Sequence, residues 1–224
     1  MRLRLGPLLI VATIFTAGSA FAQSIGAPTP TPGGSQHLGK TVPQRDVHPD
    51  EHLAIPMFPT GWTRSVTQSG SIEISEYMPQ SQTATTWRDK ITLEIHHGSN
   101  TLPLDAYQRR ALGQVRENCE GIFEGKLQTG VNNGFPAAYW MLGCKRDKRG
   151  NWGELRYTKA IQGGDTLYLL SRAWRTPMYG DSGPQLPPSV IDEARNFLGS
   201  SVVCVPTAGQ HPCPAGDKSL EPRP

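Results

Sequence analysis

The chain has no run of about 20 apolar residues, its leading apolar stretch falling far short of that, no C-x-x-C pair and no glycine-rich loop of the form GxxxxGK[ST]. Each absence removes a class. Without the apolar run, nothing after the start is long enough to cross a bilayer as a helix. Without C-x-x-C spacing, the four cysteines do not read as a zinc ribbon or a thioredoxin-type centre. Without the loop there is no Walker-type phosphate site. Charge is also sparse: 18% of the residues are Asp, Glu, Lys or Arg, and the formal net charge is +3. That is too little for a self-repelling disordered chain, and too balanced to draw nucleic acid or anionic lipid. The 24 glycines and 20 prolines follow no triplet period, which excludes a collagen-like chain.

What is present first is an address. Arg2 and Arg4 precede an apolar stretch from Leu8 to Phe15, broken only by Thr13, and small residues then close on Ala20-Phe21-Ala22. This is the three-part pattern of a secretory signal, expected to be cleaved after Ala22. No cysteine stands near the site, so lipid attachment is not expected. The location this predicts is a Gram-negative periplasm, with secretion as the alternative. Removing the signal leaves 20 basic against 19 acidic residues.

The four cysteines, Cys119, Cys144, Cys204 and Cys213, suit an oxidising compartment and permit three pairings. The expected pairs are Cys119–Cys144 and Cys204–Cys213, the second closing the Pro- and Gly-containing loop from Val205 to Pro212. On the chain-entropy model the smaller loop stabilises by ~2.7 kcal/mol and the larger by ~3.5 kcal/mol.

Residues 23–56 hold six prolines, two adjacent glycines and the repeat Pro28-Thr-Pro-Thr-Pro32, and read as an extended, solvated leader. Residues 206–224 read as a similar tail, pinned at its start by Cys204–Cys213. Between them, 57–205 has the length of one ordinary domain. A first strand region begins near Trp62 and places Ile72, Ile74, Glu76 and Met78 on one face. Trp87, Asp89, Ile91, Leu93 and Ile95 alternate cleanly with Arg88, Lys90, Thr92, Glu94 and His96. A helix then follows Pro103, with Leu104, Tyr107, Ala111 and Val115 at helical spacing, ending near Asn118. Four strands come next, Phe123–Thr129, Ala137–Cys144, Glu154–Ile161 and Thr166–Arg175. They are joined by turns at Asn132-Asn133-Gly134, Lys148–Asn151 and Gly163-Gly164-Asp165. A second helix spans Pro188–Leu198, with Gly199 as its stop. The predicted class is α+β: one largely antiparallel sheet of six to seven strands with two helices.

Several strings carry a resemblance. Tyr77-Met-Pro-Gln-Ser-Gln82 with Trp87 and Ile91-Thr92, Lys159-Ala-Ile-Gln-Gly163 with Leu167-Tyr168 and Arg172-Ala-Trp174, and Val203-Cys204 with His211-Pro-Cys213 together resemble a group of uncharacterised proteobacterial periplasmic proteins. The likeness covers most of residues 60–214 and implies no activity. The element order is similar to the PsbP-like α/β/α sandwich, a likeness of topology that implies a fold and not a function.

Candidate chemistry is thin. Gly180-Asp-Ser-Gly-Pro184 resembles the segment around a chymotrypsin-like nucleophile, but lacks one glycine and any Ala-His-Cys partner, and reads as turn chemistry. His48-Pro-Asp-Glu-His52, with His37 upstream, offers metal ligands inside the proposed leader; its bland reading is a solvated linker. His96 and His97 point to opposite faces of a strand end. One sheet face is expected to carry Arg88, Lys90, Thr92, Glu94 and His96 and to continue through Arg156, Thr158, Tyr168, Arg172 and Trp174. From it Arg88, Arg156, Arg172 and Trp174 are expected to grip a small anionic or planar ligand. No catalytic residue, metal or cofactor is expected. The leading expectation is an exported non-catalytic envelope protein that binds a protein partner or a small ligand. The alternatives are a periplasmic hydrolase assembled only in the fold, and a metal-handling protein using His48 and His52.

Overall fold

Alternating strands and tight hairpins commit this chain to an antiparallel sheet, and the register of that sheet decides which residues meet. A computed structural model describes residues 47–55, 58–99, 102–207, 209–215 and 217. The expected signal, 1–22, and the leader up to residue 46 lie outside the described residues. In order, the strands are β1 (His52–Ala54), β2 (Trp62–Ser69), β3 (Ile72–Pro79), β4 (Asp89–His96), β5 (Ile122–Glu124), β6 (Gln128–Asn132), β7 (Phe135–Cys144), β8 (Gly153–Gln162), β9 (Leu167–Thr176) and β10 (Val202–Cys204). Helix α1 (Leu104–Asn118) lies between β4 and β5, and α2 (Pro188–Ser200) between β9 and β10. The main sheet has the order β2-β3-β4-β9-β8-β7-β5, with β6 also paired to β7, and every described pair is antiparallel. The fold class is α+β, with eight strands in this sheet where six to seven were expected.

Because strand side chains alternate, each helix claims one face. Ile91, Leu93, Tyr157, Ile161, Tyr168, Leu170 and Trp174 pack with Ala194 and Leu198 of α2. Ala138, Trp140, Leu142, Ala160 and Leu167, on the opposite face, pack with Leu104, Tyr107 and Leu112 of α1. The hairpin between β6 and β7 turns at Asn133 and Gly134, both at positive φ (50° and 85°), as a type I′ turn requires. A Cβ on Gly134 would also stand 2.6 Å from the His211 ring, which is stacked on Phe135 with centroids 4.1 Å apart. The C-terminal tail is thereby seated on the hairpin.

Three boundaries differ from expectation. Residues 52–54, assigned to the solvated leader, form β1 against β10, pairing His52 with Cys204, Leu53 with Val203 and Ala54 with Val202. Leu53 and Ala54 are buried, so the ordered fold begins inside the expected leader. Three residues are too few to show a period, which hid this strand. The single strand expected over Phe123–Thr129 is two, β5 and β6, both laid against β7. Gly199 is the penultimate turn residue of α2 rather than its stop, and the helix end is held from outside. Lys159 Nζ donates to the carbonyls of Leu198 (2.8 Å), Gly199 (3.2 Å) and Ser201 (2.6 Å). A cation there also meets the negative end of the helix. Both expected disulfides are present, Cys119–Cys144 tying the end of α1 to β7 and Cys204–Cys213 tying β10 to the tail.

Replacing Lys159 by Met keeps the length of the stem and removes the cap, leaving carbonyls without a donor. The expected cost is about 1–3 kcal/mol, read as a lower urea midpoint with an unchanged slope. An unchanged midpoint would show that the ammonium does not hold α2 to the sheet.

Candidate functional site

The four residues expected to form one ligand-gripping face do not meet. Pairing of β4 with β9 sets Ile91 opposite Arg172 and Thr92 opposite Ser171. Even-numbered residues of β4 therefore share a face with odd-numbered residues of β9, the reverse of the expected phase. Arg172, Trp174 and Tyr168 face α2, whereas Arg156 and Thr158 face α1 with Lys90, Thr92, Glu94 and His96. Arg88 stands just before β4, exposed, its backbone N–H donating to Gln82 Oε1.

Arg172 is 5% exposed and already engaged. Its Nε and Nη2 donate to the two carboxylate oxygens of Asp89 (3.1 and 2.9 Å), and its Nη1 donates to Glu193 of α2 (2.8 Å). Its guanidinium also lies 5.8 Å from the Trp62 ring centre and 5.4 Å from that of Trp174. With each of its three nitrogens donating to a carboxylate and two indole rings close by, this guanidinium braces the helix to the sheet.

The arrangement that does gather unengaged polar groups is on the other face. Glu76, Thr92, Ser171, Thr158 and Trp140 form one row across β3, β4, β9, β8 and β7. Helix α1 packs over β7 and β8, where the row ends in Trp140, and leaves a cleft of about 420 Å³ beside it. Thr158 and Ser171 lie on the floor, Glu94, His96, Glu154 and Arg156 around them, and Tyr107, Arg110 and Gln114 of α1 on the wall. Thr92, Ser171 and Thr158 are each 7% exposed. Among the described residues, none of these three hydroxyls hydrogen-bonds to a protein group. Their hydroxyl oxygens therefore keep contact with solvent and can hydrogen-bond to what occupies the space beside them.

The cleft is close to electrically balanced. Arg110, Arg149 and Arg156 face Glu94, Asp147 and Glu154 within its lining. Arg156 donates twice to Glu154 (3.1 and 2.8 Å), and this carboxylate holds the guanidinium firmly charged against the opposing effect of burial. Arg149 donates to both oxygens of Asp147, which keeps that carboxyl below its usual range. His96 lies 3.1 Å from Glu94 and edge-on to Tyr107. Among the described residues lining the cleft, Arg110 on the exposed side of α1 is the cation without an ion-pair partner. No hydroxyl of the floor hydrogen-bonds to His96.

A second hollow, about 540 Å³, lies between α2 and β6–β7, lined by Val131, Tyr139, Met141, Tyr157, Lys159 and Arg195 among others. It is larger but mostly apolar, and its buried amine is consumed. Burial lowers Lys159 to about 8, yet its ammonium serves three carbonyls. Burial pushes the Tyr139 hydroxyl upward, so it stays neutral. The remaining sequence candidates separate. Ser182 is exposed on a loop and bonds to no histidine among the described residues, while Asp181 pairs with Lys145. His48 faces the His211 ring at 6.5 Å, whereas His52 faces Asp217 at 2.7 Å. His37 lies outside the described residues. Thr92 and Thr158 share the face on which the sequence reading puts them; Ser171 between them is missed, because its place depends on the register between β4 and β9, which are distant in sequence.

Arg172→Met should cost about 2–3 kcal/mol, below the full range for a buried ion pair because Asp89 and Glu193 keep contact with water. Arg88→Ala should stay within about 0.5 kcal/mol. Equal urea midpoints for the two variants would contradict the brace.

No family model matches the chain, and no curated protein matches it. Among solved structures it is similar to the Ran-binding protein Mog1p of Saccharomyces cerevisiae, at 12% identity and a TM-score of 0.37, over 62% of this chain and 76% of that one. A mutant of protein Mog1 is similar at 11% identity and a TM-score of 0.33, over 60% of this chain and 84% of that one. Likeness at that level assigns neither ligand nor partner.

Proposed function

We propose that the chain is an exported, non-catalytic protein of a Gram-negative envelope that holds a small polar ligand in the cleft beneath α1. The observation that carries this reading is the pair of hydroxyls on the cleft floor, Ser171 and Thr158, which make no hydrogen bond to a described protein group and open onto the cleft, with Thr92 beside Ser171 in the same row. Hydroxyls both donate and accept, and the lining opposes equal numbers of arginines and carboxylates. Such a site suits a ligand rich in hydrogen-bonding groups rather than a multiply charged anion. Arg110 offers one place for a single negative charge. Ile72, Ile74 and Leu169 give the ligand an apolar side to lie against. Export is supported by the signal-like start of the sequence and by two disulfides, which are compatible with an oxidising compartment. No described helix is long and apolar enough to cross a membrane.

A protein partner is the second reading, favoured by the outer edge of β2. Among the described residues β2 pairs only with β3, and Val66 in its middle is 53% exposed. An open edge of this length can accept an added strand.

A thermal-shift screen of neutral, zwitterionic and singly anionic metabolites tests the first reading. Ligands that raise the midpoint of the wild type are expected to bind about threefold to tenfold more weakly to Thr158→Val, through the loss of one hydrogen bond. Anionic hits should also weaken with Arg110→Glu. Hits indifferent to Thr158→Val and Ser171→Ala would place the ligand elsewhere and overturn the reading. For the second, a photocrosslinker at position 66 should capture one envelope protein in cells; no reproducible adduct would remove it.

A further inference from the structure

Where the tail meets the small sheet, four donor atoms converge. His52 and Cys204 are cross-strand partners of β1 and β10, and the tail brings Cys213 and Asp217 to the same point. His52 Nε2 lies 3.6 Å from Cys204 Sγ and 4.0 Å from Cys213 Sγ. Asp217 Oδ2 lies 2.7 Å from His52 Nε2 and 3.9 Å from Cys204 Sγ. All four atoms fall within 4.8 Å of one another, and no other such group of His, Cys, Asp and Glu converges among the described residues.

These distances can be compared with a tetrahedral zinc site. With Zn–S near 2.3 Å and Zn–N or Zn–O near 2.0 Å, the S–N and S–O edges are about 3.5 Å and the N–O edge about 3.3 Å. Three of the four sulfur edges, 3.6, 3.9 and 4.0 Å, are within about half an ångström of those lengths, and the fourth, Asp217 to Cys213, is no longer than 4.8 Å. The N–O edge must open modestly from 2.7 Å. Only the edge between the sulfurs is closed, by the disulfide itself. The other ring nitrogen is already placed as metal-bound imidazoles require: His52 Nδ1 donates to the carbonyl of Asp50 at 2.9 Å, which leaves Nε2 for the metal.

We propose that reduction of Cys204–Cys213 turns this cluster into a tetrahedral site for a zinc-class divalent cation, held by two thiolates, His52 Nε2 and the Asp217 carboxylate. A dithiol reductant supplies the two electrons and two protons. Its thiolate attacks at Cys213, the less buried residue of the pair, since Cys204 is fully buried. The Cys204–Cys213 bond breaks, the reductant closes its own disulfide, and two thiols remain. The cation then displaces both thiol protons, together with the proton held between His52 and Asp217, to solvent. In the oxidised chain two of the four donors are covalently joined and the site is closed. The tail is therefore fastened either by a disulfide or by a metal, independently of what occupies the cleft beneath α1.

The test uses the full chain with Co²⁺ as the probe metal, before and after treatment with a non-thiol reductant. The expected result is one equivalent of Co²⁺ bound in the reduced chain only, with thiolate-to-cobalt absorption. His52→Ala should lower the affinity by at least about tenfold, the least that loss of even an outer-shell partner brings. In reduced samples loaded with Zn²⁺ instead, peptide mass spectrometry after alkylation should find Cys204 and Cys213 protected and Cys119 and Cys144 modified. That readout needs no variant to fold. Equal binding in oxidised and reduced chains, protection at Cys119 and Cys144 instead, full affinity in His52→Ala, or a reduced chain that unfolds and is not restored by metal would each overturn the proposal.

Discussion

Which side chains lie on each face of the main sheet depends on the pairing of β4 with β9. These strands are joined by no hairpin; they bring the N-terminal meander β2–β4 against the C-terminal strands along eight residue pairs, from Asp89↔Trp174 to His96↔Leu167. One residue of slip would exchange the two faces of half the sheet. It would bury Lys90 and Glu94 beneath α2 and turn Ile91 and Leu93 toward the cleft. The observed register is held by the core on one side, where Ile91 is fully buried, and by Asp89 reaching Arg172 across the same pair of strands.

The two faces are then finished differently. On the α2 side the helix, Arg172, the tryptophans and the small β1–β10 sheet fill the space, and Lys159 closes the helix end. On the α1 side the helix covers β7 and β8, tied down by Cys119–Cys144, and stops short of the β4–β9 seam. The hydroxyl row under that open seam is the consequence. A sheet with one helix per face and one incompletely covered face makes a cleft without any special loop, which explains why no motif advertised it.

Local signals were legible in the sequence wherever the physics is local. Asn133-Gly134 demands a tight turn, the spacing of Leu104, Tyr107, Ala111 and Val115 demands a helix, and Pro188 opens another; each element stands where the residues placed it. The two expected disulfide pairs are present, although the sequence permits three pairings. Arg156 and Thr158 were assigned to the face of Thr92 and Glu94 and lie there, whereas Tyr168, Arg172 and Trp174 were assigned to it and lie opposite. The difference is the phase between β4 and β9, set by packing across more than seventy residues of chain, and alternation within a strand carries no information about it. β1 was illegible for a related reason: Leu53 and Ala54 are buried and pair with a strand some 150 residues away.

The central claim is that the cleft beside α1 exists to be filled. Its most direct test is a crystal structure of the chain purified from its native source without exchange into ligand-free buffer. The account predicts density for a small organic molecule within hydrogen-bonding distance of Ser171 and Thr158 and bordered by Arg110. A cleft that holds only ordered water under those conditions, with a molecule bound instead in the hollow beside Lys159, would contradict it.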